Sequence, residues 1–325
     1  MEKESRFNRL GGGSIVVTGG AGFIGSHLTE RLLGLNAEKV TVIDSLDYGS
    51  TRNIVSDDRV VFLRFKIGSD PIDNLKDYLQ NSDCLFHLAA EKHNQSAGDP
   101  RSVYKTNIIG TSDLFELAGK CNVKKIVFAS SLYVYGRMDL PAMKETDTPK
   151  PITIYGISKL CGEHMLSFYA RKYGFDFTIL RYFFTYGPRQ FSGVGHESVI
   201  LKTFLGMLRG DPAIIVGDGR QSMDYLYIDD LIDATLKSMT SDSSGEIFNV
   251  GSSAGITINE LMDHMIQTFG KSVTIRRDPP DWTIHSHRIA DIHKIEAMLS
   301  WKPHTTIKQG LQKTLDWMKR EYVEN

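Results

Sequence analysis

Tyr155 and Lys159 are two side chains whose types and spacing could support acid–base chemistry. Residues four positions apart lie on one face of an α-helix, so the phenol and the ammonium group can be directed at the same reacting group. A free phenol has a pKa of about 10, and a neighbouring positive charge favours the phenolate and lowers that value. The same spacing also fits two neighbours on an ordinary solvated helix. Other parts of the sequence must therefore distinguish the two interpretations.

The segment "TGGAGFIGSHL" has the glycine spacing of a dinucleotide-binding loop, and it follows a strand-like run and opens a helix-like run. Gly19, Gly22 and Gly25 are three residues apart. One glycine permits a tight turn, another lets the backbone approach a pyrophosphate, and the third lets the helix pack closely against the strand. The amides at the start of the helix, near Phe23 and Ile24, would then face the phosphates.

Asp44 supports the same interpretation from the end of the second strand-like run. It lies nineteen residues after Gly25, where a carboxylate can accept hydrogen bonds from an adenosine ribose. Its negative charge would repel a 2′-phosphate, so we expect NAD rather than NADP as the cofactor. Arg52 favours the alternative, because a nearby guanidinium can pair with that phosphate.

Short apolar runs rich in Val, Ile and Phe must supply the strands that carry these groups. They lack the alternation of a half-exposed strand, as expected for a parallel sheet that is buried on both faces. The runs span residues 14–18, 39–44, 60–65, 83–89, 124–130 and 175–181, and helix-like stretches such as 25–35, 104–121 and 155–174 lie between them. This alternation predicts an α/β fold with a doubly wound parallel sheet of the Rossmann type.

The sequence changes in character after Gly187 and Pro188, with longer loops and fewer strand-like runs. We therefore expect a dinucleotide-binding domain over residues 1–181. A smaller, loop-rich C-terminal substrate lobe is expected over residues 182–325, with some of its segments returning to the first domain. The stretch 306–323 predicts a final helix.

Composition and charge exclude several classes of partner. The chain of 325 residues is 41% hydrophobic and 24% charged, with a net charge of −1, so it has no bulk attraction for nucleic acid or an anionic membrane. Its polar start lacks the apolar core of a signal peptide, and no run is long enough to span a membrane. An odd number of widely spaced cysteines favours free thiols in a reducing cytoplasm, namely Cys84, Cys121 and Cys161.

Two further groups of side chains are expected to be structural. No metal site is expected, because three histidines of one loop-like stretch lack carboxylate partners at a metal-binding spacing, namely His285, His287 and His293. Aromatic residues that could stack on a base are more typical of lobe packing, namely Phe183, Tyr186 and Trp282.

The motifs, in their order along the chain, resemble the extended short-chain dehydrogenase/reductase family of nucleotide-sugar epimerases and dehydratases. Besides Asp44, the matching segments are "TGGAGFIG" (18–25), "HLAA" (87–90), "TNIIGT" (106–111), "SSLYVYG" (130–136), "YGISK" (155–159), "LRYFFTYGPRQ" (180–190) and "GDGRQSMDYLYIDD" (217–230). They are spread over at least two-thirds of the chain. The resemblance implies that Tyr155 and Lys159 form a catalytic pair.

The resemblance also implies the roles of individual residues. Tyr155 would take the proton of a sugar hydroxyl while the carbon gives a hydride to NAD, and Lys159 would hydrogen-bond the nicotinamide ribose. Ser131 would steady the reacting oxygen, with Ser130 as the competing assignment. Further contacts with the cofactor are expected at Ile67, Leu88, Ala89, Ala90, Lys92 and Asn107.

Neighbouring residues indicate which reaction follows formation of a 4-keto sugar. Dehydratases of the family place Asp-Glu directly after the catalytic hydroxyl, and decarboxylases keep the Glu, whereas this chain has Leu132 and Tyr133. Lys92 fits a lysine by which some hexose 4-epimerases approach the nicotinamide. The sequence therefore predicts a nucleotide-sugar 4-epimerase. The alternatives are a dehydratase or ketoreductase that uses Glu91 or His93, and a non-catalytic protein that senses NAD(P).

The expected substrate site departs from the family at two positions. Relatives usually carry an Asn at the place of Phe184 and an Arg at the place of Met223, and both contact the nucleotide diphosphate sugar. A buried dianion needs compensating donors, so Arg288 and Arg220 are expected to carry the diphosphate instead. A substrate other than plain UDP-glucose, such as a deoxy, amino or acidic sugar, is then expected. The residues expected to contact it are Tyr133, Phe184, Arg189, Arg220 and Arg288.

A homodimer is expected from the same resemblance. In related enzymes, the helices that match residues 103–121 and 155–173 pair with their symmetry mates as a four-helix bundle. Apolar side chains in these stretches fit either a core or an interface, namely Leu114, Leu117, Leu160, Met165, Leu166 and Tyr169.

Overall fold

The computed structural model describes residues 13–93, 98–138, 140–190, 198–280 and 286–323. Its strands are β1 (Ser14–Thr18), β2 (Lys39–Asp44), β3 (Val60–Arg64), β4 (Cys84–His87), β5 (Lys125–Ser131), β6 (Asp176–Tyr182), β7 (Phe184–Tyr186), β8 (Ala213–Val216), β9 (Ser222–Tyr227), β10 (Glu246–Val250), β11 (Gly255–Thr257), β12 (Ile275–Asp278) and β13 (His287–Arg288). Its helices are α1 (Phe23–Gly34), α2 (Lys76–Leu79), α3 (Pro100–Val103), α4 (Thr111–Lys120), α5 (Ile154–Tyr173), α6 (Val199–Arg209), α7 (Ile228–Thr240), α8 (Ile258–Phe269), α9 (His293–Leu299) and α10 (Ile307–Tyr322). Among these residues, no helix combines the length and the apolar character that a bilayer crossing requires.

Within the described ranges, the central sheet consists of seven parallel strands in the order β10-β6-β5-β4-β1-β2-β3. Strands β1 to β6 coincide with the six predicted runs to within two residues at either end. Because β4 and β5 are buried along their whole length, the sequence has no reason to alternate there. The predicted Rossmann-type fold is confirmed.

The order in which strands are added to the central sheet reverses at β1. Strands β2 and β3 are added on one side of β1, and β4, β5 and β6 are added on the other side. At such a switch point the loops that leave two neighbouring strands diverge, and they open a crevice at the carboxyl ends of the strands. The topology therefore places a cleft beyond the ends of β1 and β4.

The C-terminal lobe is built around a second, mixed sheet. Strand β9 pairs in parallel with β7 and β13 and antiparallel with β11, and β8 pairs with β12. The fully buried Asp224 of β9 accepts hydrogen bonds from the amides of Ser252, Ser253 and Ala290, at 2.5, 2.9 and 3.1 Å. Strand β10 leaves this lobe and pairs with β6 at the edge of the central sheet.

The predicted helix over residues 103–121 is interrupted by a different winding. Residues Tyr104–Gly110 form a π-helix between α3 and α4. Such segments are short, and they often occur at functional sites. The hydrophobic pattern carries no signal for this insertion, so the sequence predicts one continuous helix instead.

A buried ion pair joins three elements behind the cleft. Arg181 of β6 donates to both carboxylate oxygens of Glu163 in α5, at 2.9 and 2.7 Å, and the two side chains are only 2% and 4% exposed. Ser130 at the end of β5 donates a further hydrogen bond of 2.5 Å to Glu163. Arg181 also donates to the Tyr135 hydroxyl at 3.0 Å. The opposite charges of Arg181 and Glu163, together with these hydrogen bonds, compensate for the cost of burying both groups.

Glu163→Ala is expected to lower the free energy of unfolding by about 3–5 kcal/mol, because it leaves the Arg181 charge buried without its partner. The matched control is Glu116→Ala, which removes a more exposed carboxylate paired with Lys172 at 3.3 Å. Exposed pairs contribute about 0–1 kcal/mol, so this control should change stability little. Chemical denaturation followed by circular dichroism measures both changes. Equal losses in the two variants would contradict the assignment.

Candidate active site

The cleft predicted by the sheet topology has a volume of about 420 Å³. Its walls come from the loops after β1, β2, β3, β4 and β5, from α5 and from the segment around β7. Many of the residues predicted to bind the cofactor line it, namely Gly19, Gly22, Phe23, Ile24, Gly25, Asp44, Ile67, Leu88, Ala89, Ala90 and Lys92. Four predicted catalytic and substrate residues also line it together, namely Ser131, Tyr133, Tyr155 and Lys159, and Phe184 does so from the second lobe.

The glycine-rich loop has the geometry that its sequence predicts. Gly19 turns the chain with a φ of +72°, and the amide of Gly22 donates to the Gly19 carbonyl at 3.1 Å. A Cβ atom on Gly25 would overlap that carbonyl and would lie 2.6 Å from the Gly20 Cα, so only glycine lets α1 approach the strand end this closely. The loop and the first turn of α1 therefore leave room for a pyrophosphate at a helix N-terminus.

Asp44 is held at the adjoining edge of the cleft by two backbone amides. Its carboxylate accepts hydrogen bonds from Ala21 at 3.0 Å and from Leu46 at 2.8 Å. Burial raises the pKa of Asp44 above its ordinary value, and these hydrogen bonds oppose that rise. The carboxylate thus lies beside the glycine-rich loop in the wall of the cleft. Arg52 does not line the cleft; its 85% exposed side chain lies 3.5 Å from Glu321.

Three consecutive residues at the end of β5 contact the face of α5 that carries Tyr155 and Lys159. Lys159 donates from Nζ to the carbonyl of Ala129 at 2.8 Å. The Ser130 hydroxyl donates a hydrogen bond to Glu163, whereas the Ser131 hydroxyl lies beside the phenol of Tyr155. The structure therefore places Ser131, rather than Ser130, beside the tyrosine.

Burial governs the pKa values of Tyr155 and Lys159 in the protein without cofactor. In the protein without cofactor, burial raises the pKa of Tyr155, and the neighbouring Ser131 hydroxyl only partly opposes this. Burial likewise lowers the pKa of Lys159 to about 7. The Lys159 Nζ lies 5.7 Å from the centre of the Tyr155 ring. The predicted lowering of the Tyr155 pKa requires the positive nicotinamide ring together with Lys159, so it stays a prediction for the NAD-bound protein.

Two aromatic rings, those of Tyr133 and His93, pack near the ring of Tyr155. The rings of Tyr133 and His93 are stacked with their centres 4.2 Å apart, and the centres lie 5.7 and 6.2 Å from that of Tyr155. Arg288 lies close enough to Tyr133 to oppose the rise that burial causes in the pKa of Tyr133. The Arg288 guanidinium lies 5.9 Å from the ring centre of Phe184, and the residue is 4% exposed. The structure thereby brings Arg288 next to two cleft residues although it does not itself line the cleft.

Three other predicted residues lie outside the cleft lining. Arg189 pairs with Glu30 at 2.6 Å, and Arg220 has an 83% exposed side chain that lies 3.9 Å from Asp218. Asn107 is 3% exposed in the π-helix, and its amide group bonds the backbone of Glu91 and the Ser158 hydroxyl. Phe183 and Tyr186 are buried in the core, and Phe183 also lines the cleft, whereas Trp282 and His285 lie outside the described residues.

Sequence reasoning missed several cleft residues, namely Ser45, Asp47, Tyr48, Lys66, Thr106, Thr185, Gln190 and Ser198. Most lie in loops, and their position at the carboxyl ends of β2, β3 and β7 was the available signal. Glu91, considered as an acid, instead accepts a hydrogen bond from Tyr48 at 3.0 Å. Among the residues that the structure describes, no cluster of His, Cys, Asp or Glu could hold a metal ion.

Comparison with known proteins agrees with this arrangement. A curated relative, the putative UDP-glucose 4-epimerase of Methanocaldococcus jannaschii, is 34% identical over 308 residues, which cover 94% of this chain and 98% of the relative. The structure of UDP-glucose 4-epimerase from Thermotoga maritima with UDP-glucose has a TM-score of 0.86 and 35% identity, with coverage of 94% and 98%.

The UDP-glucuronic acid 4-epimerase of Bacillus cereus, solved with UDP-glucuronic acid and NAD, has a TM-score of 0.86 and 32% identity, with coverage of 95% and 99%. The model of the NAD dependent epimerase/dehydratase family matches residues 15–251, a range that extends from β1 to just beyond β10. This range holds the glycine-rich loop, Asp44 and the tyrosine–lysine pair. The chain belongs to the NAD dependent epimerase/dehydratase family.

Proposed function

We propose that the protein is an NAD-dependent nucleotide-sugar 4-epimerase. The observation that carries the proposal is the grouping of Ser131, Tyr155 and Lys159 in the same cleft as a dinucleotide-binding loop. The similarity to 4-epimerases over more than nine-tenths of the chain supports it.

The residues of the cleft fit NAD. The glycine-rich loop and the N-terminus of α1 would hold the pyrophosphate, Asp44 the adenosine ribose, and Lys159 the nicotinamide ribose. NAD, when bound, supplies the acceptor for a hydride from the sugar carbon and a positive charge that favours the Tyr155 phenolate.

Proton transfer falls to this chain's own residues. A Tyr155 phenolate accepts the proton of the sugar 4-hydroxyl, and the Ser131 hydroxyl steadies the oxygen as it becomes a carbonyl. Lys159 is fixed by the Ala129 carbonyl, which keeps its ammonium group on the Tyr155 side of α5. Tyr155 would give the same proton back to the 4-oxygen after the keto sugar has turned its other face to the cofactor, so inversion needs no additional acid or base.

A dehydratase is the second candidate. Two observations oppose it, because the positions after Ser131 hold no carboxylic acid and the Glu91 carboxylate already accepts a hydrogen bond from Tyr48. One observation favours it. His93, however, is stacked on Tyr133 and faces Tyr155, where an imidazole could transfer a proton. Incubation with NAD and a panel of UDP- and dTDP-sugars separates the two reactions. Inversion at C4 with unchanged mass supports the epimerase, and loss of water supports the dehydratase.

The substrate is proposed to be a UDP-sugar, in line with the ligands of the solved relatives. Arg288 is the cation proposed to bind its diphosphate. In the pairing of β13 with β9, Arg288 lies directly opposite Met223, so a guanidinium is still available at this place in the sheet. Tyr133 and Phe184 would shape the sugar pocket.

Tyr155→Phe is expected to reduce epimerisation to below detection, because phenylalanine cannot accept the substrate proton. Ser131→Ala should lower kcat by about 10²-fold, within the usual range for a group that assists proton transfer. NMR of the sugar product measures both rates. Tyr173→Phe removes a tyrosine hydroxyl at the far end of α5 and should leave the rate unchanged. A near-normal rate for Tyr155→Phe would refute the mechanism.

Asp44→Asn should raise the Kd for NAD at least about tenfold, since hydrogen bonds to a charged group contribute about 1.5–3 kcal/mol. Isothermal titration calorimetry measures this change. Asp57→Asn, which removes the partner of Arg59 in the following loop, is the control and should leave the Kd unchanged. The unmodified protein should also bind NADP more weakly than NAD. Equal or tighter binding of NADP would contradict the role of Asp44.

Homodimerisation is proposed through α5 and the neighbouring π-helix. Three of the apolar residues predicted for an interface are buried within the protomer, namely Leu114, Leu117 and Leu166. Other apolar side chains are exposed on the same two segments, with Ile109 56%, Ile157 39% and Phe168 54% exposed. Their exposure on two segments that pack against each other suits a twofold contact, in which one surface meets its own copy.

Phe168→Asp is expected to convert the dimer into a monomer, because it places a charge in an apolar contact. Light scattering at micromolar concentration measures the mass. Met298→Asp, at a 48% exposed position on α9, is the control and should leave the dimer intact. A monomeric unmodified protein would overturn the proposal.

We also place the protein in the cytoplasm, because its three cysteines are free thiols, which suit a reducing compartment.

A further inference from the structure

A side-chain hydrogen bond links two loops that border the cleft. The Tyr48 hydroxyl, in the loop after β2, donates to Oε2 of Glu91, in the loop after β4, at 3.0 Å. Both residues line the cleft. Burial, together with the Glu91 carboxylate, raises the pKa of Tyr48, so the phenol keeps the proton that it donates.

The sheet order determines what lies beneath this contact. Strand β1 lies between β2 and β4, so the glycine-rich loop after β1 lies between the loops that carry Tyr48 and Glu91. Neighbouring strands are about 4.8 Å apart, which separates the two outer loops by roughly 10 Å at their origins. The side-chain contact therefore joins two loops that flank the glycine-rich loop, beside which the dinucleotide is proposed to lie.

The acceptor side of the contact is rigidly held. The Glu91 amide donates to the Asn107 side chain at 2.8 Å, and the Asn107 side-chain amide donates back to the Glu91 carbonyl at 3.0 Å. These two bonds fix the Glu91 backbone to the π-helix.

A third loop reinforces the donor side. Lys66, just after β3, pairs with Asp47 at 2.6 Å and lies 3.9 Å from the Glu91 carboxylate. The Lys92 ammonium lies 4.7 Å from the centre of the Tyr48 ring. Opposite charges and a cation over an aromatic face both favour the closed arrangement.

We propose that the Tyr48–Glu91 hydrogen bond is a clasp that encloses bound NAD and limits the rate of its release. The inference rests on the proposed function only through the binding of NAD. A 4-epimerase returns the hydride that it removes and so regenerates NAD in place at every turnover. Slow release of the cofactor is therefore compatible with rapid catalysis in such an enzyme.

The test measures release of NAD in the absence of any sugar. The protein is loaded with isotopically labelled NAD and diluted into excess unlabelled NAD, and the retained label is followed by rapid filtration. Tyr48→Phe, which removes only the hydroxyl, should increase the dissociation rate roughly ten- to a hundredfold, the loss expected for one charged hydrogen bond. Glu91→Gln keeps an oxygen acceptor and should give a smaller increase. The double variant should release NAD no faster than Tyr48→Phe, because both changes remove the same contact.

The matched control is Tyr173→Phe, which removes the same type of bond, from Tyr173 to Glu116 at 3.1 Å, away from the cleft. Its NAD release should equal that of the unmodified protein. Unchanged release in Tyr48→Phe, or an equal increase in the control, would overturn the clasp. If Tyr48→Phe has a lower melting temperature than the unmodified protein in the absence of cofactor, the dissociation rate of NAD from Glu91→Gln is used instead. An unchanged rate in that variant would overturn the clasp.

The clasp and the proposed function fail in different ways. An unmodified protein that epimerises a UDP-sugar but releases NAD at the same rate as Tyr48→Phe refutes the clasp alone. One that retains NAD through the clasp but converts no nucleotide sugar refutes the 4-epimerase alone. An unmodified protein that does not bind NAD refutes both.

Discussion

The hydrogen bond from Lys159 Nζ to the Ala129 carbonyl ties α5 to the end of β5 and sets the geometry of the cleft. Two neighbouring contacts continue it, from Ser130 to Glu163 and from Ser131 to Tyr155. Three successive residues of β5 therefore contact three residues of α5 that are spaced four positions apart and so lie on one face of the helix. A shift of one residue along the strand would reverse the side to which each serine points. The buried Arg181–Glu163 pair opposes such a shift.

Much of this arrangement is predictable because it follows from local rules. The central strands were located by apolar runs, and the glycine-rich loop by spacing that backbone sterics impose. Gly19 needs a positive φ and Gly25 a close approach of α1 to the strand end, so their spacing carries structural information directly. The preference for Ser131 over Ser130 came from the resemblance, and the structure supplies its reason, which is the bond between Ser130 and Glu163.

Other features depend on contacts between distant segments, and no local pattern encodes them. The meeting of Tyr48 and Glu91 joins two loops separated by 43 residues. The raised pKa of Tyr155 reflects burial by several elements, whereas the sequence displays only the favourable lysine on its own helix. Arg220 was predicted from its nearness to Met223 in sequence, but its side chain is exposed beside Asp218. Arg288 reaches Met223 instead because β13 pairs with β9.

Strand β10 has a consequence for dividing or recombining this protein. It begins at Glu246, far into the second lobe, yet it covers the edge of β6 and supplies Asn249 as hydrogen-bond acceptor for the Tyr135 hydroxyl at 2.7 Å. A fragment that ended at Arg181 would keep the glycine-rich loop but would expose an unpaired strand edge, which invites pairing with other chains. It would also lose a neighbour of the Arg181 network. Chimeras that exchange substrate lobes should therefore carry β10 with the first lobe, so the natural point of exchange is discontinuous in sequence.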